Sequence, residues 1–236
     1  LHLLSRRQRQ MCIRDSNNIE LTLDELKFLY KRGHKITGFG YWEDPRIKEI
    51  KRKRNERRDY SLIFNVKEEE VALSQEEWLN NPEKFKALTR SIDLGSLTSA
   101  DGLVLPQYVG GHIYLGHLTN ADGLVLPQHV GGHIYLDYLT NVDGLVLPQY
   151  IGGDLFLRSL ESAKGLIFPQ HVGGLIYLSS LTSAEGLVLP QHIGGGIDLG
   201  SLTSAEGLVL PQHVGGVINL RSLTSAEGLV LPQHVG

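Results

Sequence analysis

The hydrophobic positions of the chain repeat every 21 residues over its last two thirds. Prolines mark the period, at Pro106, Pro127, Pro148, Pro169, Pro190, Pro211 and Pro232. One unit, residues 112–132, reads HIYLGHLTNADGLVLPQHVGG, and seven such units run from about residue 91 to residue 236, the last of them incomplete. A fixed period of this length is typical of repeat proteins whose units stack on one another.

Each unit contains two short apolar runs that predict strands. In the unit 112–132 the first run is Ile113, Leu115 and Leu118, and the second is Leu124, Leu126 and Val130. The initial step of two in each run predicts a strand, because side chains alternate between faces, and the longer step that follows suits a bend. Glycines, such as the pair at residues 131–132, separate the runs and supply turns. Within the repeat, no window of ten residues shows helical spacing, so a helical bundle is not expected.

The repeat predicts a mainly β protein, a parallel β-solenoid of about seven coils of 21 residues. A two-strand unit of this size cannot bury its own apolar face, whereas stacking in register aligns like residues in columns around a dry interior. Successive coils should rise by about 4.8 Å, the spacing of paired strands.

A leucine-rich repeat horseshoe is the alternative fold. The stretch VGGHIYLGHLTNADGLVLPQHV resembles the leucine-rich repeat pattern, and a unit of 21 residues lies within that family's range. The resemblance implies one strand per repeat on a concave face. The chain departs from the family at the buried Asn ladder, where it has Leu118, Leu139, Leu160, Leu181, Leu202 and Leu223.

The segment 17–90 predicts a small α+β region that precedes the repeat and caps its first coil. Two capping-box patterns, at Thr22 with Glu25 and at Ser74 with Glu77, indicate helix starts. The expected elements are helices over residues 23–32 and 45–58, strands over 34–42 and 61–66, and a short helix from about 81 to 88.

The first sixteen residues are left out of the fold prediction. Residues 6–15 read RRQRQMCIRD and resemble the translated sequence of an adaptor used to prepare sequencing libraries. We expect this segment to be a disordered artefact and the chain to be truncated in the middle of its last unit. Cys12 and Met11, the only residues of their types, lie in it, so a disulfide framework or multi-cysteine zinc site is excluded.

The charge is unevenly distributed. The whole chain has a formal net charge of −3, while residues 91–236 contain three Lys or Arg against eleven Asp or Glu. Basic residues concentrate in the predicted helix 45–58. This basic patch is Arg46, Lys48, Lys51, Arg52, Lys53, Arg54, Arg57 and Arg58. Such a patch can hold nucleic-acid phosphates, although a solvated charged helix is the favoured interpretation.

Three columns of the repeat are predicted to face outward and carry candidate chemistry. The first is aromatic, because rings alternate with the inward Ile and Leu: Tyr114, Tyr135, Phe156 and Tyr177. Exposed rings can anchor a protein or a glycan, or pack on each other as cross-coil pairs. A second column is mostly His, and a third is Val or Ile. The third would exceed a normal exposed apolar patch, so either a partner covers it or the second sheet is irregular.

No catalytic, metal-binding or cofactor-binding motif accompanies these columns, and stacked copies give rows of like residues instead of a cleft of unlike ones. We therefore expect a non-catalytic scaffold that recognises a protein or a glycan. The alternatives are a structural rod or cell-surface stalk and, less favoured, nucleic-acid binding through the basic patch. No run of 18 apolar residues predicts a transmembrane helix. The open last coil is expected to self-associate, and the sequence predicts no compartment.

Overall fold

The computed structural model describes residue 14, residues 20–30 and residues 45–236. The predicted strand over residues 34–42 lies outside the described residues. So does the adaptor-like segment, apart from Arg14.

Two parallel sheets build the repeat, which confirms the predicted β-solenoid. Strands are numbered in chain order. The nine-stranded sheet has the order β1 (Val71–Ala72), β2 (Ala87–Leu88), β4 (Tyr108–Val109), β6 (His129–Val130), β8 (Tyr150–Ile151), β10 (His171–Val172), β12 (His192–Ile193), β14 (His213–Val214) and β16 (His234–Val235). The seven-stranded sheet contains β3 (Ile92–Asp93), β5 (Ile113–Tyr114), β7 (Ile134–Tyr135), β9 (Leu155–Phe156), β11 (Ile176–Tyr177), β13 (Ile197–Asp198) and β15 (Ile218–Asn219).

The register of both sheets follows the 21-residue period. Ile113 pairs with Ile134, and Val109 pairs with Val130. Each coil therefore contributes one strand to each sheet, whereas a leucine-rich repeat contributes one strand and a helical segment. Coils 1 to 7 begin at residues 91, 112, 133, 154, 175, 196 and 217.

Columns of like apolar residues form the core. Ile113, Leu115 and Leu118 are fully buried, and their counterparts in the neighbouring coils lie in the same cluster. Because the side chains of one column differ little in size, every coil offers its neighbours the same shape. The interior is therefore continuous from Trp78 in the N-terminal region to Leu208 in coil 6.

Glycines shape the turns in two ways. One glycine per coil, such as Gly165 with φ +88°, takes the left-handed conformation that other residues avoid. Another, such as Gly173, approaches the backbone of the previous coil so closely that a Cβ would meet its carbonyl group. The repeat thus requires glycine at one position for dihedral freedom and at the pair Gly173 and Gly174, with its counterparts, for space.

Among the residues that the structure describes, the α-helices that precede or flank the first coil are α1 (Leu23–Leu29), α2 (Pro45–Arg52), α3 (Glu56–Phe64) and α4 (Gln75–Asn80). The capping box predicted at Thr22 and Glu25 is formed at the start of α1. At α4 the Ser74 hydroxyl accepts from the Glu77 N–H at 3.1 Å, while the Glu77 carboxylate accepts from the Leu73 N–H at 2.8 Å. Trp78, in α4, is buried against the first coil.

Two predictions in this region are wrong: the single helix over residues 45–58 and the strand over residues 61–66. The helix expected over residues 45–58 is broken, because Asn55 caps α3 through a 3.1 Å bond from the Arg58 N–H to its side chain. The strand expected over residues 61–66 is the last part of α3, which ends at Asn65 in the left-handed conformation. Tyr60 and Phe64, one turn apart, place their rings on the first strands of the nine-stranded sheet.

The helix expected over residues 81–88 is also wrong. Ala87 and Leu88 form β2 and pair with Tyr108 and Val109 in the register of the repeat. The nine-stranded sheet therefore continues across residue 90, where the sequence predicted the repeat to begin, and reaches back to Val71.

Candidate binding face

The four predicted aromatic residues form one ladder on the outer side of the seven-stranded sheet. Successive ring centroids of Tyr114, Tyr135, Phe156 and Tyr177 lie 4.6, 4.4 and 4.6 Å apart, with the rings within 11° of parallel. The tyrosines are half-buried and Phe156 is only 6% exposed. We call this row the aromatic ladder.

Stacking determines which parts of the ladder a ligand can reach. Tyr135 and Phe156 each have a neighbouring ring on both faces, so their faces are covered and their edges are left. Burial raises the pKa of the Tyr135 hydroxyl, and the nearby Tyr114 and Asp154 raise it further. The hydroxyl of Tyr135 therefore stays protonated and able to donate.

Arg158 lies on the ladder. Its guanidinium carbon is 4.5 Å from the ring centroids of both Phe156 and Tyr177, within the range of a cation–π contact. Its Nη1 donates to Asp137 Oδ1 at 2.8 Å, which fixes the side chain on the rings. The side chain is still 46% exposed, so the cation remains accessible beside the ring edges.

A second, polar ladder runs beside the rings, two residues earlier in each coil. The side chain of each of its residues accepts a hydrogen bond from the backbone N–H one coil further on. The donors and acceptors are His112 N to Ser91 Oγ at 2.9 Å, His133 N to His112 Nδ1 at 2.9 Å, Asp154 N to His133 Nδ1 at 2.7 Å and Leu175 N to Asp154 Oδ1 at 2.7 Å. The two imidazoles also stack, with centroids 4.6 Å apart.

The polar ladder depends on neutral imidazoles, because only an unprotonated Nδ1 can accept. Burial lowers the pKa of His112 below its ordinary value of 6.5 and the adjacent His133 lowers it further, while Asp154 acts in the opposite direction. The fold therefore favours the neutral form of His112.

We expect the protein to lose stability as the pH falls below about 6.5. Between that value and the lowered folded pKa of His112, the unfolded chain binds more protons, so folding becomes less favourable. His112→Asn keeps a side-chain acceptor, as Asp154 does, and removes the titration. The melting temperature of the wild type should therefore fall relative to this variant between about pH 7.5 and 5, by the equivalent of about 1 kcal/mol, one hydrogen bond. Parallel melting curves would contradict the role assigned to Nδ1.

The three columns that differ most from coil to coil lie on this face. Along coils 1 to 7 the polar-ladder column reads Ser, His, His, Asp, Leu, Gly, Val, and the aromatic column reads Asp, Tyr, Tyr, Phe, Tyr, Asp, Asn. The column with Asp137 and Arg158 reads Gly, Gly, Asp, Arg, Ser, Gly, Arg. Core columns such as that of Leu115 keep one residue type, so variation marks positions that core packing does not fix.

Sequence reasoning found the aromatic ladder but missed Asp137, Asp154 and Arg158 as its neighbours. The signal that could have identified them is that their residue types differ from those at the equivalent positions of the other coils. The three aligned columns place all three residues beside the rings in coils 3 and 4. We call the outer side of β5, β7, β9 and β11, with these columns, the ladder face.

The basic patch does not lie on a single helix. The side chain of Arg46 lies outside the described residues, and the other members divide between α2, α3 and the link between them. Four of them contact carboxylates: Lys53 with Glu49 at 3.1 Å, Arg54 with Asp59 at 2.6 Å, Arg57 with Glu77 at 2.7 Å and Arg58 with Glu20 at 2.7 Å. Lys48 and Arg52 are exposed. Part of the charge available for phosphate contacts is thus compensated within the protein.

The histidine column lies on the other sheet. Phe64 of α3 covers its first members, stacking on Tyr108 at 4.5 Å and meeting His129 edge-on at 5.4 Å. Later members stack in parallel, with His192 and His213 centroids 5.0 Å apart. A transition metal needs ring nitrogens that converge at about 2.0–2.1 Å, which parallel stacked rings do not provide. Within the described residues no cluster of acidic, His or Cys side chains is arranged to hold a metal ion.

Comparison with known proteins gives no relative: no family model, no curated protein and no solved structure matches the chain. Among the helices that the structure describes, none combines the length and apolar character needed to cross a membrane.

Proposed function

We propose that the protein is a non-catalytic binding module that holds an extended protein segment along the ladder face. The observation that carries the proposal is the gathering of unlike, accessible side chains on one side of an otherwise uniform solenoid. A rigid scaffold holds these side chains in position before binding. Only the partner therefore loses conformational entropy when the complex forms.

The chemistry of the ladder face favours a protein partner over a glycan. Sugars stack on the faces of aromatic rings, and the faces of Tyr135 and Phe156 are covered by their neighbours. Ring edges, tyrosine hydroxyls and the Arg158 guanidinium suit the carbonyl, carboxylate and apolar groups of a polypeptide. Tyr and Arg are also the residues that most often dominate binding energy at protein interfaces.

The other two functions receive less support. A purely structural rod would explain the uniform columns but gives no reason for the variation of the ladder face. Nucleic-acid binding through the basic patch would use cations of which four already contact carboxylates. Residues 91–236 are strongly acidic, so most of the chain would repel a phosphate backbone.

The test is a selection from a random-peptide phage library on the immobilised full chain, with a glycan array in parallel. We expect peptides whose affinity falls at least about tenfold in the variant with Tyr114→Ser and Tyr135→Ser, because central aromatic anchors carry much of the binding energy. His192→Ser, an exposed change on the other sheet, is the control and should leave affinity unchanged. Circular dichroism verifies that both variants fold.

Three results would contradict the proposal. Peptides insensitive to the tyrosine changes would place binding elsewhere. Glycans that bind and are lost with the tyrosines would replace the protein partner with a sugar. If neither the peptide library nor the glycan array gives a binder, the structural rod would be favoured.

A further inference from the structure

A straight apolar stripe runs along a different side of the solenoid. We call it the Val stripe: Val104, Val125, Val146, Ile167, Val188, Val209 and Val230. Its members are the β-branched residues that the sequence predicted to face outward, and they do, with Val104 48% exposed and the others between 70% and 80%. Bridges join Val125 to Val146 and Ile167 to Val188, so successive members lie directly above one another.

The regularity of the stripe indicates a contact surface. Scattered exposed apolar residues are normal on any protein, but a contiguous row in every coil is not. The core does not require it, because the Leu residues on both sides, such as Leu124 and Leu126, are the ones that are buried. Threonine is also β-branched and has a similar preference for extended backbone, so backbone conformation does not require valine at these exposed positions.

The two sides of the stripe differ in charge. Three residues before each member lies an acidic column, whose members are Asp101, Asp122, Asp143, Lys164, Glu185, Glu206 and Glu227. Three residues after each member lies a glutamine column, whose members are Gln107, Gln128, Gln149, Gln170, Gln191, Gln212 and Gln233. Both columns are exposed along their whole length.

We propose that the Val stripe is the interface between two copies of this chain that lie side by side and point in the same direction. A two-fold axis along the stripe brings the acidic column of each copy opposite the glutamine column of the other, where amide N–H groups can donate to carboxylates. A two-fold axis across the stripe gives antiparallel copies and places acid opposite acid. Like charges facing each other across an interface are strongly unfavourable, so the parallel arrangement is selected.

The size of the face is sufficient for a specific dimer. Seven coils at about 4.8 Å extend about 30 Å along the stripe, and the six residue steps from acid to glutamine extend about 20 Å across it. Each copy would thus contribute about 600 Å², or about 1,200 Å² in total, which is the lower end of the range for specific interfaces. The ladder face lies outside this area, so the dimer does not depend on the proposed function.

The first experiment measures the association of the full chain by sedimentation. We expect a monomer–dimer equilibrium in the wild type and at least about tenfold weaker association in Val146→Thr, Ile167→Thr, Val188→Thr, which keeps β-branched residues at the exposed positions. Tyr138→Ser, an exposed change at a different corner, should dimerise as the wild type does. A wild type that stays monomeric at all accessible concentrations would overturn the proposal, as would a threonine variant that associates normally.

A second experiment tests direction. In the parallel dimer, Gln149→Lys and Gln191→Lys together face Asp143 and Glu185 of the second copy, so association should tighten. In an antiparallel dimer the same lysines face each other and association would weaken. In a Cys12→Ser background, the Val125→Cys thiol should form a disulfide with the Val125→Cys thiol of the second copy in a parallel dimer. In an antiparallel dimer, the Val125→Cys thiol of one copy would instead meet a Val209→Cys thiol of the other. Weaker association of the lysine variant, or cross-linking only between unlike positions, would overturn the parallel arrangement.

Discussion

The Gly173→Ala variant should unfold at a markedly lower urea concentration than the wild type, although it adds a single methyl group. The Gly173 N–H donates to the Ile151 carbonyl at 2.8 Å, which fixes the distance between coils 3 and 4 at this turn. A Cβ on Gly173 would lie 2.9 Å from the Gly152 carbonyl carbon and closer still to its oxygen. Both atoms are backbone, so the coils must separate, at a cost of about 3 kcal/mol, the upper end of the usual range for overpacking.

Gly165→Ala provides the matched control in the same coil. Nothing lies within 4 Å of the position of its Cβ, so the only penalty is the φ of +88°. That penalty is about 1–2 kcal/mol, and Gly165→Asn should recover part of it because Asn tolerates left-handed backbone. Urea unfolding followed by circular dichroism measures all three variants. If Gly165→Ala proves as costly as Gly173→Ala, the close approach of the coils is not what requires glycine at residue 173.

The repeat could be predicted from sequence because one geometric rule determines it. A side-chain period of two within each run and a chain period of 21 leave one register in which like residues align, and the pairing of Ile113 with Ile134 follows it. The turns were also predictable, since Gly123 takes the positive φ that its place at a corner required. The second run is an exception: Leu124 and Leu126 are buried as predicted, but Val125 between them forms only an isolated bridge, and the second strand of the coil is His129–Val130.

The N-terminal region could not be predicted to the same extent, because its packing decides between local alternatives. The stretch SLIF has the composition of a strand, yet it continues α3 because Asn55 caps the helix and Tyr60 and Phe64 pack on the sheet. The pair Ala87 and Leu88 carries no strand pattern of its own. It becomes β2 because the exposed edge at Tyr108 and Val109 pairs with it.

The candidate site was predictable only where it follows the repeat. Alternation with Ile113 was enough to place Tyr114 and the other rings outside, together on one face. The position of Arg158 over two rings, and the acceptance of a backbone N–H by His112, depend on contacts between coils that no spacing rule gives. Variation of residue type between coils identifies these positions as ones that core packing does not constrain. It does not show which residues their side chains contact.

Leu160→Ala should destabilise the protein by about 2–5 kcal/mol, the range for a buried leucine whose neighbours cannot collapse into the cavity. Leu160 is fully buried, and the column continues with the equally buried Leu139 and Leu181 in the adjacent coils. Those leucines are held by their own strands and cannot move to fill the space. Val188→Ala, at a side chain that is 70% exposed, should change stability by less than about 0.5 kcal/mol.

A comparison along the column tests how the coils share stability. In a stacked repeat each coil contacts only its neighbours, so stability is a sum of unit and interface contributions. Leu160 has a counterpart on both sides, whereas Leu223, in coil 7, is partly buried and follows only the coil that contains Leu202. Leu223→Ala should therefore cost about half as much as Leu160→Ala. Hydrogen exchange adds a spatial measurement, because lost protection should be largest in coils 3 to 5 for Leu160→Ala and in coils 6 and 7 for Leu223→Ala. Equal costs and uniform loss of protection in both variants would mean that the solenoid unfolds as one unit and that nearest-neighbour stacking does not describe its energetics.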